Sequence, residues 1–261
     1  MEQMSSSLFT TCMERGLPDA LVTGTNLGVS FSTYRSWWGL TAGVFSEDLA
    51  TSSDLSDQGQ GFTGHIHFNP GHSEDKTYHL GTSFSARDIS STGSFFFRRR
   101  PESGLTDVRY VDTGYLFNPK QVFRYNLEAA VTAGPVSVQG EYISARLTRY
   151  TGLGELNFYG WYAFVSWFPT GGSRNYFSNE GIFGYPDIKS KYGEVELAGR
   201  YSMLDLTDGL VRGGTEQNIT LGINWYQSRK IRLTANYIIV NNDEFANADG
   251  TLEGEDDSHI L

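Results

Sequence analysis

The sequence predicts an all-β protein, an antiparallel β-barrel that spans a membrane, and the first reason is a two-residue alternation of apolar and polar side chains. Residues 217–225 show it most clearly, because every second side chain is apolar and the others are small or polar. The apolar ones are Ile219, Leu221, Ile223 and Trp225. After a turn at 227–230, the alternation restarts at Ile231. Repeated over many long strands, it is typical of a barrel with lipid outside and water inside.

Composition is the second reason. The chain has 261 residues, of which 30 are glycine and 14% are aromatic, and this suits long strands with aromatic residues at the membrane interfaces. No run approaches about 18 apolar residues, so no transmembrane helix is predicted. The single cysteine, Cys12, excludes an internal disulfide and a cysteine-based metal site. A net charge of -10 argues against nucleic acid as a partner.

The alternation places ten strands along the chain. They are predicted at about 26–33, 36–46, 60–69, 76–87, 120–133, 135–147, 154–168, 193–203, 217–227 and 230–241. In most of them one face is apolar, and the other carries polar residues such as His65 and Glu128. Segment 154–168 is apolar on both faces, which indicates that its second apolar face meets another subunit or a plug.

The connections between these strands alternate in length. Short ones lie at 33–36, 69–75, 134 and 227–230, and long polar ones lie at 47–59, 88–119, 204–216 and 242–258. Outer-membrane barrels have short turns at one rim and long loops at the other. Two segments break the pattern, because 1–25 has no strand signal and 169–192 is long where a short turn is due. Long loops in compact domains are often functional, so we expect 169–192 to fold inward and narrow a pore.

Several short motifs follow one another in order along the chain. They are MERGLP at 13–18 with NLGV at 26–29, RPES at 100–103 with VDTG at 111–114, WFPTG at 167–171 with GIF at 181–183, RYSMLDL at 200–206, the glycine pair at 213–214, LGINWY at 221–226 and ANY at 235–237. Each motif is short, but together they cover nearly the whole chain. In this order they resemble the phosphate-selective porin O and P family of Gram-negative outer membranes.

The resemblance implies a sixteen-stranded, homotrimeric barrel in the outer membrane of a Gram-negative-type bacterium. We therefore expect 1–261 to be a single, partial barrel domain that lacks the N-terminal strands and the final strand. Residues 231–240 would form strand fifteen, and 258–261 would begin strand sixteen. The resemblance also implies that 1–25 is an inward-folded constriction loop and that 88–119 enters the pore. The expected partners are outer-membrane lipid and inorganic anions such as phosphate.

Seven arginines are the predicted pore-lining or anion-binding residues. They are Arg87, Arg98, Arg99, Arg100, Arg124, Arg200 and Arg232. A guanidinium offers five fixed donors to an oxyanion and keeps its proton near neutral pH, and a row of such groups lets an ion enter and leave. We expect a passive channel with anion preference, for phosphate or polyphosphate. The alternative is that these are ordinary lumen charges, paired with Glu128, Glu141 and Glu196.

Other readings of the sequence have weaker support. His65, His67 and His79 share one face of adjacent strands, so a metal site is conceivable, but neutral polar lumen residues are the favoured interpretation. No catalytic or cofactor-binding motif is present, so neither an enzyme nor a cofactor is predicted. Two alternatives remain open, a soluble or surface β-sandwich that binds ligands and an outer-membrane barrel enzyme. A sandwich would cover Leu221 and Leu233 with a second sheet.

Overall fold

A computed structural model gives the structure of the chain and describes residues 10–24, 26–46, 60–73, 76–89, 95–150, 152–252 and 258–260. Within these ranges the chain forms one short 3-10 helix, Leu17–Leu21, and thirteen strands. The strands are β1 (Gly28–Arg35), β2 (Trp38–Ser46), β3 (Gln60–Phe68), β4 (Lys76–Asp88), β5 (Pro119–Ala133), β6 (Val136–Arg149), β7 (Leu156–Trp167), β8 (Ser173–Phe177), β9 (Ile182–Asp187), β10 (Glu194–Asp208), β11 (Val211–Ser228), β12 (Ile231–Asn242) and β13 (Ser258–Ile260).

Eleven strands form one antiparallel sheet, in the order β1-β2-β3-β4-β5-β6-β7-β10-β11-β12-β13. Each strand pairs with the next along the chain, except that β8 and β9 form a separate hairpin between β7 and β10. β1 and β13 are the edges of the sheet, and they do not pair with each other in the part of the chain that the structure describes. The prediction of an all-β antiparallel fold is confirmed. β13 pairs with β12 where the sequence placed the start of a further strand.

The two faces of the sheet differ in exposure as the alternation predicts. Leu221 on β11 is 50% exposed and Leu233 on β12 is 58% exposed, whereas Thr220 is fully buried. We call the side of Leu221 the outer face and the side of Thr220 the inner face. No described residue covers the two leucines with a second sheet, and this excludes the β-sandwich alternative. None of the described helical residues belongs to a helix long and apolar enough to cross a membrane.

Residues 204–216 are not the long loop that the sequence predicted. β10 and β11 extend through most of this stretch and meet at a tight turn at Gly209, whose φ is +60°. The apolar residues here, Leu204 and Leu206, lie on the inner face and are fully buried. The outer residues, such as Asp205, are polar. In this stretch the inner residues are apolar and the outer residues are polar, which is the reverse of the rest of the sheet. The sequence of this stretch therefore resembles a polar loop.

The other long connections differ from one another. Residues 47–59 lie outside the described residues. Residues 95–119 form an irregular segment with two isolated bridges, Phe95 to Leu116 and Arg98 to Asp112. Residues 243–252 form turns after β12.

Segment 169–192 contains the β8–β9 hairpin, which lies at the rim of the short turns. The ring of Tyr176 in β8 lies 5.4 Å, between centroids, from the ring of His72 in the turn between β3 and β4. The Tyr185 hydroxyl donates to the carbonyl of Ser228 at 2.7 Å, beside the turn between β11 and β12. These contacts attach the hairpin to two separate parts of the same rim.

Candidate functional site

Two irregular segments, 10–24 and 95–119, cover part of the inner face. Their apolar side chains share one buried cluster with the inner residues of β5, β6, β7 and β10. The segments contribute Leu17, Leu21, Phe97, Val111 and Leu116, and the strands contribute Val122, Ile143, Leu147, Phe158, Leu204 and Leu206. Phe97 and Phe158 meet edge to face, with 5.4 Å between ring centroids. The second apolar face of segment 154–168 therefore packs against a plug, which the two irregular segments form, and not against another subunit.

The four strand arginines of the prediction all hold segment 10–24 or its neighbour Asn26. Arg87 donates to Oδ1 of Asn26 at 3.0 Å, Arg124 to the Leu21 carbonyl at 2.6 Å, Arg200 to the Glu14 carbonyl at 2.8 Å and Arg232 to the Thr11 carbonyl at 2.9 Å. Parity gives the face on which an arginine lies. Parity does not indicate which oxygen atom of the irregular segment will accept from the arginine. Sequence reasoning therefore missed that all four arginines hold segment 10–24 or Asn26.

The three loop arginines of the prediction line one cleft with a volume of about 370 Å³. A fourth arginine in the same cleft, Arg109, was not singled out from the sequence. The charged residues around the cleft are Arg98, Arg99, Arg100, Arg109, Glu14 and Glu102. The cleft therefore brings together four guanidinium groups and two carboxylates, and its excess of positive charge suits an anion.

Two of these arginines form ion pairs. Arg99 pairs with Asp19, and its Nη2 donates to the carbonyl of Arg15 at 3.2 Å. Arg15 itself lies 3.7 Å from Asp19, so the three residues form a local charge network. Arg100 pairs with Asp107 at 2.5 Å, and the Asp107 side chain is 95% exposed. Arg99 is thus tied to segment 10–24, whereas Arg100 is tied to a solvated carboxylate.

Arg98 and Arg109 form no ion pair with any residue that the structure describes. The guanidinium of Arg98 lies over the ring of Phe96, 4.1 Å from its centroid. Nη1 of Arg109 donates to the backbone carbonyl of Asp107 at 3.4 Å. Stacking and carbonyl contacts orient a guanidinium without neutralising its charge, so both groups keep their attraction for anions.

One acidic side chain in the same segment responds to its surroundings. Burial raises the pKa of Asp112, while the Gly114 amide, which donates to Oδ1 at 2.9 Å, and the positive charges of Arg98 and Arg109 act in the opposite direction. Asp112 therefore takes up a proton at a higher pH than an exposed carboxyl group does. Its charge lowers the positive potential near Arg98 as long as it remains ionised.

The histidines that the sequence places on one face, His65, His67 and His79, form a buried stack on the inner face. His65 and His79 both hydrogen-bond the same oxygen of Glu128 through Nε2, at 2.7 and 3.0 Å. Nε2 of His67 donates to the backbone carbonyl of Ser178, beyond the end of β8, at 3.0 Å. Glu128 lies on β5, and the strand register needed to bring it to the histidines was not available from the sequence.

The β8–β9 hairpin docks on this stack. The hydroxyl of Tyr176 lies 2.6 Å from Nδ1 of His79. Burial raises the pKa of the Tyr176 phenol, and the nearby Glu128 raises it further, so the hydroxyl keeps its proton and can donate. Among the described residues, no group of three or more His, Cys, Asp or Glu side chains could hold a metal ion. These contacts support the interpretation of the histidines as polar wall residues.

A long antiparallel meander with an apolar outer face, and with irregular segments packed on a polar inner face, defines the class of outer-membrane barrel channels. The phosphate-selective porin O and P family matches residues 1–261, and the chain belongs to that family. Porin O of Pseudomonas aeruginosa is 26% identical over 289 aligned residues, which cover 98% of this chain and 65% of the relative. An uncharacterized protein of Caulobacter vibrioides is 27% identical over 253 aligned residues, which cover 91% of this chain and 50% of the relative.

The family match confirms the predicted family and two further predictions that depend on it. The protein belongs to the outer membrane of a Gram-negative bacterium, and its family consists of channels, so the alternative of a barrel enzyme is wrong. The chain spans between half and two thirds of the length of the curated relatives it matches.

Proposed function

We propose that this chain forms the wall and the constriction of a passive outer-membrane channel that prefers anions, with phosphate or polyphosphate as the substrate class. The observation that carries the proposal is the arginine cleft of segment 95–119, which gathers four guanidinium groups in about 370 Å³. The description of the family as phosphate-selective supports the same substrate class.

The arginines of the cleft differ in how readily they would meet a permeating anion. Arg98 and Arg109 form no ion pair with a described residue, so their charge is available. The pair of Arg100 with exposed Asp107 is weak, because an exposed ion pair contributes only about 0–1 kcal/mol, and an oxyanion can compete for that guanidinium. Arg99 is engaged by Asp19 and serves mainly to hold the cleft in place.

The strand arginines have a different part in the proposal. Arg87, Arg124, Arg200 and Arg232 bind segment 10–24 or Asn26, so they fix the segment that narrows the lumen. Their positive charge still contributes to the potential of the inner face. We therefore assign direct anion contact to Arg98, Arg100 and Arg109 and the shape of the constriction to the strand arginines.

The outer face completes the proposal. Its exposed apolar residues would lie against outer-membrane lipid, and the resemblance to trimeric porins leads us to propose a homotrimer. Segments 10–24 and 95–119 would form the main constriction. The β8–β9 hairpin would narrow the lumen again at the rim of the short turns.

The test is the double variant Arg98→Gln with Arg109→Gln in planar lipid bilayers, with reversal potentials measured across a potassium chloride gradient. We expect the ratio of anion to cation permeability to fall by roughly tenfold, which is within the range by which charged clefts concentrate counter-ions. Arg146→Gln with Arg149→Gln is the matched control. It removes the same charge at the end of β6, from two side chains that do not line the cleft, and should leave the ratio nearly unchanged.

Phosphate itself is tested by its effect on the chloride current. Inorganic phosphate should reduce that current in the natural protein and much less in the Arg98→Gln with Arg109→Gln variant. An unchanged permeability ratio would refute the role of the cleft. If the natural protein prefers anions but phosphate does not reduce its chloride current, the proposed substrate class is refuted and the anion preference is retained.

A further inference from the structure

Glu102, in segment 95–119, has a backbone conformation that L-residues rarely adopt. Its φ is +54°, in the left-handed region, where a side chain crowds the following carbonyl group. Its side chain points to the inner face, and the residue is only 3% exposed. A disfavoured conformation persists where surrounding contacts fix it, so the contacts of this carboxylate explain its position.

Four donors converge on the Glu102 carboxylate. Oε2 accepts from Nη2 of Arg200 at 2.6 Å and from Oγ1 of Thr220 at 2.5 Å. Oε1 accepts from the Leu17 amide at 3.1 Å and from the hydroxyl of Ser202. The donors belong to β10, β11 and the short helix of segment 10–24. One side chain of segment 95–119 therefore joins both irregular segments to the wall.

Arg200 extends the same junction in a second direction. It is 2% exposed, and its Nη1 donates to the Glu14 carbonyl at 2.8 Å while its Nη2 binds Glu102. Both charges of the pair are buried, so dissolved salt screens their attraction far less than it would at the surface. Removing one partner would leave the other charge uncompensated in the interior, which is strongly unfavourable.

We propose that Glu102 is the positioning residue of the constriction. Its carboxylate fixes where segments 10–24 and 95–119 stand on the inner face, and it thereby aims the neighbouring Arg98 and Arg100 at the ion path. The inference rests on the proposed function in one respect, that these segments line a channel. Arg200 then acts by holding Glu102, and it does not itself bind the permeating anion.

Cys12 is a natural probe of this arrangement, because it is the single cysteine of the chain and is 1% exposed in segment 10–24. The experiment compares its reaction with a membrane-impermeant maleimide in the full chain inserted into lipid. Glu102→Gln should make the reaction at least about a hundredfold faster, because losing one partner of a buried ion pair shifts such an equilibrium by that factor or more. Glu155→Gln removes the same charge from an exposed side chain and should leave the rate unchanged.

A second variant avoids a buried unpaired charge. Ser202→Ala with Thr220→Val removes two donors to Glu102 and keeps its pair with Arg200. We expect an increase of at least about tenfold, since one hydrogen bond to a charged group is already worth about that factor. In both variants the open-channel current should become larger and noisier, while the electrophoretic mobility of the folded barrel stays unchanged. These readouts report the position of the segments, and a loss of barrel structure would not reproduce them.

Two outcomes would overturn the proposal. The first is natural reactivity of Cys12 in correctly inserted Glu102→Gln protein. The second is an unchanged reactivity of Cys12 in the Ser202→Ala with Thr220→Val variant. This second outcome is decisive by itself if Glu102→Gln protein does not insert. The labelling rate does not depend on which ion the channel prefers. Raised Cys12 reactivity in a channel without anion preference would therefore refute the proposed function and retain the positioning role.

Discussion

An arginine placed on the outer face should cost a free energy that depends on its depth in the bilayer, and two leucines on neighbouring strands test this. Leu221 and Leu233 are 50% and 58% exposed, so a substitution removes nearly the same apolar contact from each. Leu233 pairs with Trp225, which lies four residues beyond Leu221 on β11. At about 3.3 Å per residue and a tilt of about 40°, that separation amounts to roughly 10 Å of depth.

The expected magnitudes follow from that difference. Leu221 lies in the middle of the apolar stretch of β11, whereas Leu233 lies near the turn between β11 and β12. Leu221→Arg should lower the free energy of unfolding by about 2–4 kcal/mol, the cost of arginine near the bilayer midplane. Leu233→Arg should lower it by about 1 kcal/mol or less, the cost near the interface.

The assay is reversible urea unfolding from lipid vesicles, followed by tryptophan fluorescence and by the mobility of the folded form. Thr220 looks from the sequence like an inexpensive neighbouring control, but it is buried and donates to Glu102, so it is unsuitable. Equal costs for the two leucine variants would refute the reasoning. A sheet that buries its leucines against protein has no reason to distinguish them by depth.

Two further predictions concern the irregular segments. Asp112→Asn should raise the anion-to-cation permeability ratio at pH 7, because it removes a negative charge near Arg98. Burial raises the pKa of Asp112, so in the natural protein this group is neutralised at a higher pH than an exposed carboxyl group when the pH falls. The variant should therefore lose part of the rise in the ratio that acidification causes. Reversal potentials between pH 7 and pH 4 check this, and identical titrations of variant and natural protein would contradict it. Tyr176→Phe should weaken the docking of the β8–β9 hairpin by about 1 kcal/mol, because it removes the hydrogen bond to His79. Trypsin cleavage after Arg174 should become about fivefold faster, and Tyr192→Phe, at an exposed side chain, is the control.

The strands could be predicted from the sequence because their two faces meet different surroundings. Between Ile219 and Trp225 of β11 every second residue is exposed and apolar, so the period of two marks the strand directly. The same logic fails at Leu204 and Leu206, which are apolar and face inward because segments 10–24 and 95–119 pack on them. A rule that equates apolar with outward cannot recognise a part of the lumen that is filled with protein.

The site could be predicted less completely, because its contacts join residues far apart in sequence. Parity places Arg200 on the inner face, but Glu102 lies in an irregular segment to which no periodicity applies. The histidines were grouped correctly, since they alternate on adjacent strands. Their partner Glu128 depends on the register between β4 and β5, and only the structure gives that register.

The strict alternation of faces also limits how the length of this chain can change. One residue inserted at the start of β12, before Arg232, would turn Leu233 and Tyr237 inward and would place Arg232 against lipid near the interface, where an arginine costs about 1 kcal/mol or less. The error would extend to the end of the strand, because nothing within it restores the frame. We therefore expect insertions and deletions to be tolerated mainly in turns and in irregular segments such as 95–119. These are also the segments that we propose shape the pore, so the parts of the chain that are free to vary in length would be the parts that decide what passes through it.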